Sequence, residues 1–84
     1  MKVWEVHIEH TDASIWSMAR ETRVAAHKIF STKEKAFEYA RAYMEEQHFI
    51  GDRKIREIDS NNYVAVNQIS FGQVIDITAI EVDA

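Results

Sequence analysis

Three side chains near the start of the chain could bind a metal ion together. Glu5, His7 and Glu9 alternate with apolar residues, so on a β-strand they point to the same side. Carboxylates and imidazoles are common ligands of divalent ions. Residues two apart on a strand are about 7 Å apart, so this row needs a ligand from a neighbouring strand to hold an ion tightly. The sequence therefore favours a solvated strand face, with no metal and no cofactor.

Motifs typical of other catalytic chemistry are missing from the sequence. No serine lies in a Gly-x-Ser-x-Gly elbow. The two glycines, Gly51 and Gly72, are isolated, so no glycine-rich loop can hold phosphates. The lack of cysteine excludes disulfides and cysteine-based zinc sites. We therefore expect a non-enzymatic protein, with a metal-dependent enzyme using Glu5, His7 and Glu9 as a remaining alternative.

A second group of residues could bind nucleic acid. The basic residues considered for this role are Arg20, Arg23, Lys28 and Lys33. Trp16 precedes them, and a tryptophan beside cationic groups can stack on a base. Acidic residues interleave with these basic residues, and the net charge of −4 opposes a general grip on phosphate backbones. Nucleic-acid binding is therefore the alternative function, and a place in the core or at a dimer interface is favoured for Trp16.

The first elements of the chain must position both groups. Residues 3–10 alternate with period two, which predicts a strand with Trp4, Val6 and Ile8 on its buried face. Residues 11–13 then offer a turn. Residues 14–23 are ambiguous, because Ile15, Met18 and later residues also follow helical spacing. We favour an extended segment with an interruption or bulge at residues 20–23, since the first strand needs a hairpin partner.

An amphipathic helix is predicted next, over residues 32–48. Ser31 and Glu34 form a capping box at its start, and Gly51 is a plausible stop. The apolar side of this helix consists of Ala36, Phe37, Ala40, Tyr43 and Met44, with Tyr39 at its margin. Because the stripe has alanine at its centre, the helix can lie close to a sheet.

Three extended stretches follow, over residues 54–59, 63–69 and 74–83, with a turn at residues 60–62. The predicted fold is α+β, with four to five strands in an antiparallel sheet and one amphipathic helix on one face, in a ββαβββ-like order. The 84 residues are expected to form a single domain, 1–84. No signal peptide or membrane span is predicted, and a cytoplasmic location is expected.

The last strand is apolar on both faces. Ile75, Ile77 and Ala79 share one face, while Val74, Ile80 and Val82 share the other with Asp76 and Thr78. Either a bulge near Ala79 reverses the alternation, or something beyond the single helix covers the second face. The second case predicts a partner protein, with a second copy of the chain favoured. The expected contact residues are Trp16, Met18, Arg20, Arg23, Ile80 and Val82.

The junction from Lys28 to Ala36, KIFSTKEKA, followed by a helix with Tyr39 and Ala40, resembles small uncharacterised ββα-type proteins of phages and bacteria. The resemblance covers the first half of the chain. It implies a compact intracellular protein, often phage-encoded, that would act in the host cytoplasm. It also implies an inhibitor of a host system, as anti-CRISPR proteins are, which binds its partner and blocks a surface.

Overall fold

The computed structural model describes residues 1–13, 20–51, 53–67 and 72–83. The elements follow in the order β1 (Lys2–Ala13), β2 (Arg20–Phe30), α1 (Lys33–Glu46), β3 (Arg56–Asp59), β4 (Asn62–Val66) and β5 (Gln73–Glu81). The strands form one five-stranded antiparallel sheet in the order β2-β1-β5-β4-β3. Helix α1 packs on one face of this sheet, which confirms the predicted α+β fold.

The hairpin of β1 and β2 is longer than the sequence suggested. Residues 11–13 were predicted as a turn, and this prediction is wrong, because the pairing continues to Ala13 opposite Arg20. Two hydrogen bonds hold this extension in place. The Thr11 and Thr22 hydroxyls lie 3.0 Å apart, and the Thr11 N–H donates to the Gly72 carbonyl over 2.7 Å.

The segment that the sequence left ambiguous is extended wherever the structure describes it. Strand β2 begins at Arg20, so the helical alternative is wrong from that residue onward, and residues 14–19 lie outside the described residues. The bulge predicted at residues 20–23 lies further along. Glu9 pairs with Val24 and Ile8 with Ala26, which leaves Ala25 without a partner.

The N-cap of helix α1 lies one residue later than predicted, and the helix begins at Lys33. Thr32, not Ser31, is the N-cap, because its backbone is extended (φ −133°, ψ 152°) and its Oγ1 accepts a hydrogen bond from the Lys35 N–H. The predicted capping box of Ser31 and Glu34 is therefore wrong. Among the described residues, no helix has the length and apolar character needed to cross a membrane.

The end of α1 uses a residue that the sequence did not single out. His48 adopts a left-handed conformation (φ 52°) directly after the C-cap, Gln47. The His48 N–H donates to Glu45, and the Phe49 N–H donates to Met44 over 2.8 Å, which is the Schellman arrangement. The prediction that Gly51 stops the helix is thus wrong, and Phe49 turns back into the core, where it is fully buried.

The core lies between α1 and the sheet. The helix contributes three fully buried side chains, and the predicted apolar stripe is confirmed. The sheet contributes alternate residues of its three central strands. The buried hydrophobic residues are Trp4, Val6, Ile8, Ala36, Ala40, Met44, Phe49, Tyr63, Ala65, Ile75 and Ile77. Buried Asn67 is satisfied, since its Nδ2 donates to Gln73 Oε1 and its Oδ1 accepts from the Ile50 N–H.

The three C-terminal strands confirm the predicted stretches in shortened form. The turn between β3 and β4 lies at Ser60 and Asn61. The Asp59 carboxylate accepts hydrogen bonds from the Asn61 N–H and the Asn62 side-chain amide, and the Asn61 bond lowers the pKa of Asp59 most. Strand β5 pairs with β1 and β4 without a register shift, so no bulge reverses its alternation at Ala79.

Candidate functional site

The face of the sheet opposite α1, called the open face below, carries Glu5, His7 and Glu9 of β1. Because Trp4, Val6 and Ile8 are buried under the helix, the alternate residues of the strand must point the other way. Directly paired residues share a face, so the pairing of β1 with β2 and β5 identifies their neighbours. Among the side chains that the structure describes, the ionisable ones of these three strands on the open face are Glu5, His7, Glu9, His27 and Asp76.

Two histidines meet across the β1–β2 hairpin. His7 pairs with His27, and their rings lie edge to face with centroids 5.9 Å apart. His27 Nε2 lies 3.2 Å from Glu5 Oε2, and His7 Nε2 lies 2.8 Å from Glu9 Oε1. One ligand atom from each of Glu5, His7 and His27 falls within 4.8 Å of the others. His27 of β2 therefore supplies the ligand from a neighbouring strand that Glu5, His7 and Glu9 need. The sequence did not reveal this residue.

The fifth ionisable residue reaches this group from the other side of β1. Asp76 of β5 pairs with His7. Partial burial raises the pKa of the Asp76 carboxyl, the negative charge of Glu9 raises it further, and His7 opposes both. The centre of the open face is thus a place where negative charge is crowded, and where a cation is favoured electrostatically.

Aliphatic side chains surround these polar groups. The cross-strand pair of Val3 and Ile80 lies at one end of the open face. At the other end, Val74 pairs with both Glu9 and Val66. Several aliphatic residues here are exposed, among them Val24 (58%), Ile29 (59%) and Val66 (41%). The two-faced character predicted for the last strand is therefore present in the fold.

The predicted contact residues divide into three groups. Ile80 lies on the open face and is half-buried, and Val82, 38% exposed, follows directly after β5. Trp16 and Met18 lie outside the described residues. The backbone of Arg20 belongs to β2, and Arg23 pairs with His10, which places it on the helix side of the sheet. The structure therefore places Ile80 on the open face and Val82 just beyond the end of β5, and it does not bring Arg23 to the open face.

Of the basic residues considered for nucleic acid, those whose side chains the structure describes do not form one patch. Lys28 pairs with Val6 and so lies on the helix side of β2. The Lys33 ammonium lies 5.5 Å from the ring centre of Tyr63, on β4. Strands β1 and β5 lie between β2, which carries Lys28, and β4, which carries Tyr63. The geometry therefore gives no support to a joint role of Lys33 with Arg23 and Lys28.

One polar contact links α1 to the sheet on the covered side. The Tyr43 hydroxyl lies 2.8 Å from His10 Nε2, in hydrogen-bonding distance. Burial raises the pKa of Tyr43, and the charges of Tyr39 and Glu46 raise it further. This pair fixes the helix against β1 and does not reach the open face.

Comparisons with protein-family models, with curated proteins and with solved structures each find no match to this chain.

Proposed function

We propose that this chain is a non-enzymatic interaction protein that forms a homodimer through the open face of its sheet. The observation that carries the proposal is the exposed aliphatic surface on the face of the sheet that α1 does not cover. Val24, Ile29 and Val66 are each more than two-fifths exposed, and all three share the open face. Aliphatic residues gathered on one face are typical of an interaction surface, whereas isolated ones are ordinary.

A second copy fits this face because the pattern is self-complementary. Aliphatic side chains occupy both ends, with Val3 and Ile80 at one and Val66 and Val74 at the other. Two stacked sheets can be related by a two-fold axis that lies midway between them. Whether this axis runs along the strands or across them, the aliphatic ends of one open face meet the aliphatic ends of the other. In both orientations the central carboxyl groups also meet their own copies, which opposes association, so the contacts of the aliphatic ends must outweigh this repulsion. Closed two-fold contacts of this kind are the commonest in homo-oligomers, and stacked sheets pack with interdigitating side chains.

The open face also has the size that a dimer needs. The β1–β5 ladder runs from Lys2 opposite Glu81 to His10 opposite Gln73. With strands about 4.8 Å apart and a rise of about 3.3 Å per residue, the flat area of the five strands is about 600 Å². The accessible area of the side chains exceeds this flat area, and standard interfaces bury about 800 Å² per partner.

The test measures the oligomeric state by light scattering and sedimentation equilibrium. We expect a wild-type dimer and a folded monomer for the double variant Val66→Lys with Val82→Lys, because two buried lysines would lose hydration at the interface. Ile50→Lys is the matched control, since Ile50 is 50% exposed but lies outside the sheet. A monomeric wild type would overturn the proposal, as would a double variant that stays dimeric.

An inhibitory role in a host cell is a separate part of the proposal. It comes from the resemblance of residues 28–40 to small phage and bacterial proteins, together with the proposed cytoplasmic location. A homodimer presents two copies of every surface outside its interface, including α1, to a partner. Co-purification of tagged wild-type protein and of the monomeric variant from a bacterial host would test whether such a partner needs the dimer.

A further inference from the structure

We propose that Glu5, His7 and His27 form a binding site for a zinc ion on the open face. The inference goes beyond the proposed function and does not depend on it, because all three ligands belong to one chain. Two imidazoles and a carboxylate form a donor set that suits zinc and leaves a fourth position for water. The residues come from two adjacent strands, so the backbone of the β1–β2 hairpin holds their spacing.

The distances are close to those of a bound ion. Ligands of tetrahedral zinc, at about 2.0–2.1 Å from the metal, lie about 3.4 Å from one another. His27 Nε2 and Glu5 Oε2 are already 3.2 Å apart. All ligand atoms of the set lie within 4.8 Å of one another, which is at most about 1.4 Å wider than the spacing expected around a zinc ion. The His7 side chain is 29% exposed, and the His27 side chain is 49% exposed, which leaves both rings room to rotate.

A fourth residue holds one of the ligands in position. Glu9 Oε1 lies 2.8 Å from His7 Nε2. An ionised carboxylate only accepts hydrogen bonds, so in the neutral ring Nε2 would donate to Glu9 and Nδ1 would carry the lone pair that a metal needs. A metal-bound histidine almost always donates its other N–H to a group of this kind, which fixes the ring and raises its basicity. Glu9 is therefore a positioning residue in this site, outside the ligand set.

The charges around the site also favour a cation. Glu5, Glu9 and Asp76 crowd three carboxyl groups around His7 on the open face. A divalent ion bound between Glu5 and the two imidazoles offsets the repulsion among them.

Titration calorimetry with Zn²⁺ tests the site. We expect one ion per chain in the wild type, with a rise in melting temperature on adding Zn²⁺, because an ion that binds the folded state stabilises it. His27→Gln and Glu5→Gln each remove a ligand and should weaken binding by more than tenfold. Glu9→Gln should weaken it by about 10–100-fold, as loss of an outer partner does.

Matched controls separate this site from general binding by surface histidines. His48→Gln and Glu45→Gln make the same chemical changes at exposed positions near the end of α1, and they should bind Zn²⁺ as the wild type does. Co²⁺ is a second probe, because a tetrahedral site gives intense visible absorption that His27→Gln should abolish. Equal Zn²⁺ affinity in the wild type and His27→Gln would overturn the proposal, and so would absence of binding.

The same titration on the double variant Val66→Lys with Val82→Lys distinguishes the two proposals. Neither substitution touches a ligand. A monomeric variant that still binds one Zn²⁺ per chain supports a site within one chain. Loss of binding in a folded monomer would overturn the single-chain site, whatever the oligomeric state of the wild type.

Discussion

Replacing Gly72 by alanine should destabilise the fold strongly, although Gly72 is only half-buried and precedes β5 directly. A Cβ on this residue would collide with the carbonyl oxygen of Thr11 and lie 3.1 Å from its carbonyl carbon. Both atoms belong to the backbone of β1, so no side chain can rotate away. Gly72 must therefore move, and its carbonyl accepts the 2.7 Å hydrogen bond from the Thr11 N–H.

The expected loss follows from two contributions. Forcing an extra carbon into a packed site costs about 1–3 kcal/mol, and losing the hydrogen bond to Thr11 adds about 1 kcal/mol. The total, about 2–4 kcal/mol, compares with about 4–13 kcal/mol of stability for a domain of 84 residues. At about 4–8 °C per kcal/mol, the melting temperature of Gly72→Ala should fall by at least about 8 °C.

Urea unfolding followed by circular dichroism measures this loss, with Thr11→Ala as the control. Thr11→Ala removes the hydroxyl that meets Thr22 but leaves the Thr11 carbonyl in place. The loss in free energy of unfolding of the double variant, Gly72→Ala with Thr11→Ala, should therefore equal the sum of the losses of the two single variants. A Gly72→Ala variant within about 0.5 kcal/mol of wild type, or one rescued by Thr11→Ala, would show that backbone crowding does not determine this position.

Two further predictions concern helix α1. His48→Gly should raise the free energy of unfolding by about 0.5–1 kcal/mol, since the left-handed conformation strains a residue with a Cβ but not glycine; lower stability in urea unfolding would contradict it. Tyr43→Phe should lose about 0.5–1.5 kcal/mol at neutral pH with the hydrogen bond to His10. Because the folded pKa of Tyr43 lies above its unfolded value of 10.0, the wild type loses stability as the pH rises past 10, and the variant's curve should be flatter there; parallel curves would refute this.

Helix α1 was predictable because its pattern depends on local spacing. Ala36, Ala40 and Met44 repeat every four residues and are all buried. The ends of the helix were less certain. Ser31 and Thr32 are both good caps, and only the backbone geometry selects Thr32. At the other end, the position of Phe49 in the core draws His48 into the left-handed conformation that sequence rules assign to glycine.

The open face was predictable along one strand but not across strands. Alternation alone placed Glu5, His7 and Glu9 together, because it follows from the geometry of β1. Which residues of β2 and β5 lie beside them depends on strand order and register, and short sequence patterns do not specify either. Asp76 was visible in the sequence as a polar residue on an apolar strand, yet nothing local indicated that it pairs with His7.

The position of His27 depends on the bulge at Ala25. If β2 continued from the pair of Glu9 and Val24 without a bulge, His27 would pair with Val6 and point toward the helix. The unpaired Ala25 shifts the register by one residue, which moves every later side chain of β2 to the opposite face. His27 then meets His7 on the open face, while Phe30 turns inward, with its ring centre 5.3 Å from that of Tyr39. The packing of Phe30 and the pairing of His27 with His7 both favour the shifted register. Packing of the core and assembly of the proposed zinc site therefore require the same bulge at Ala25.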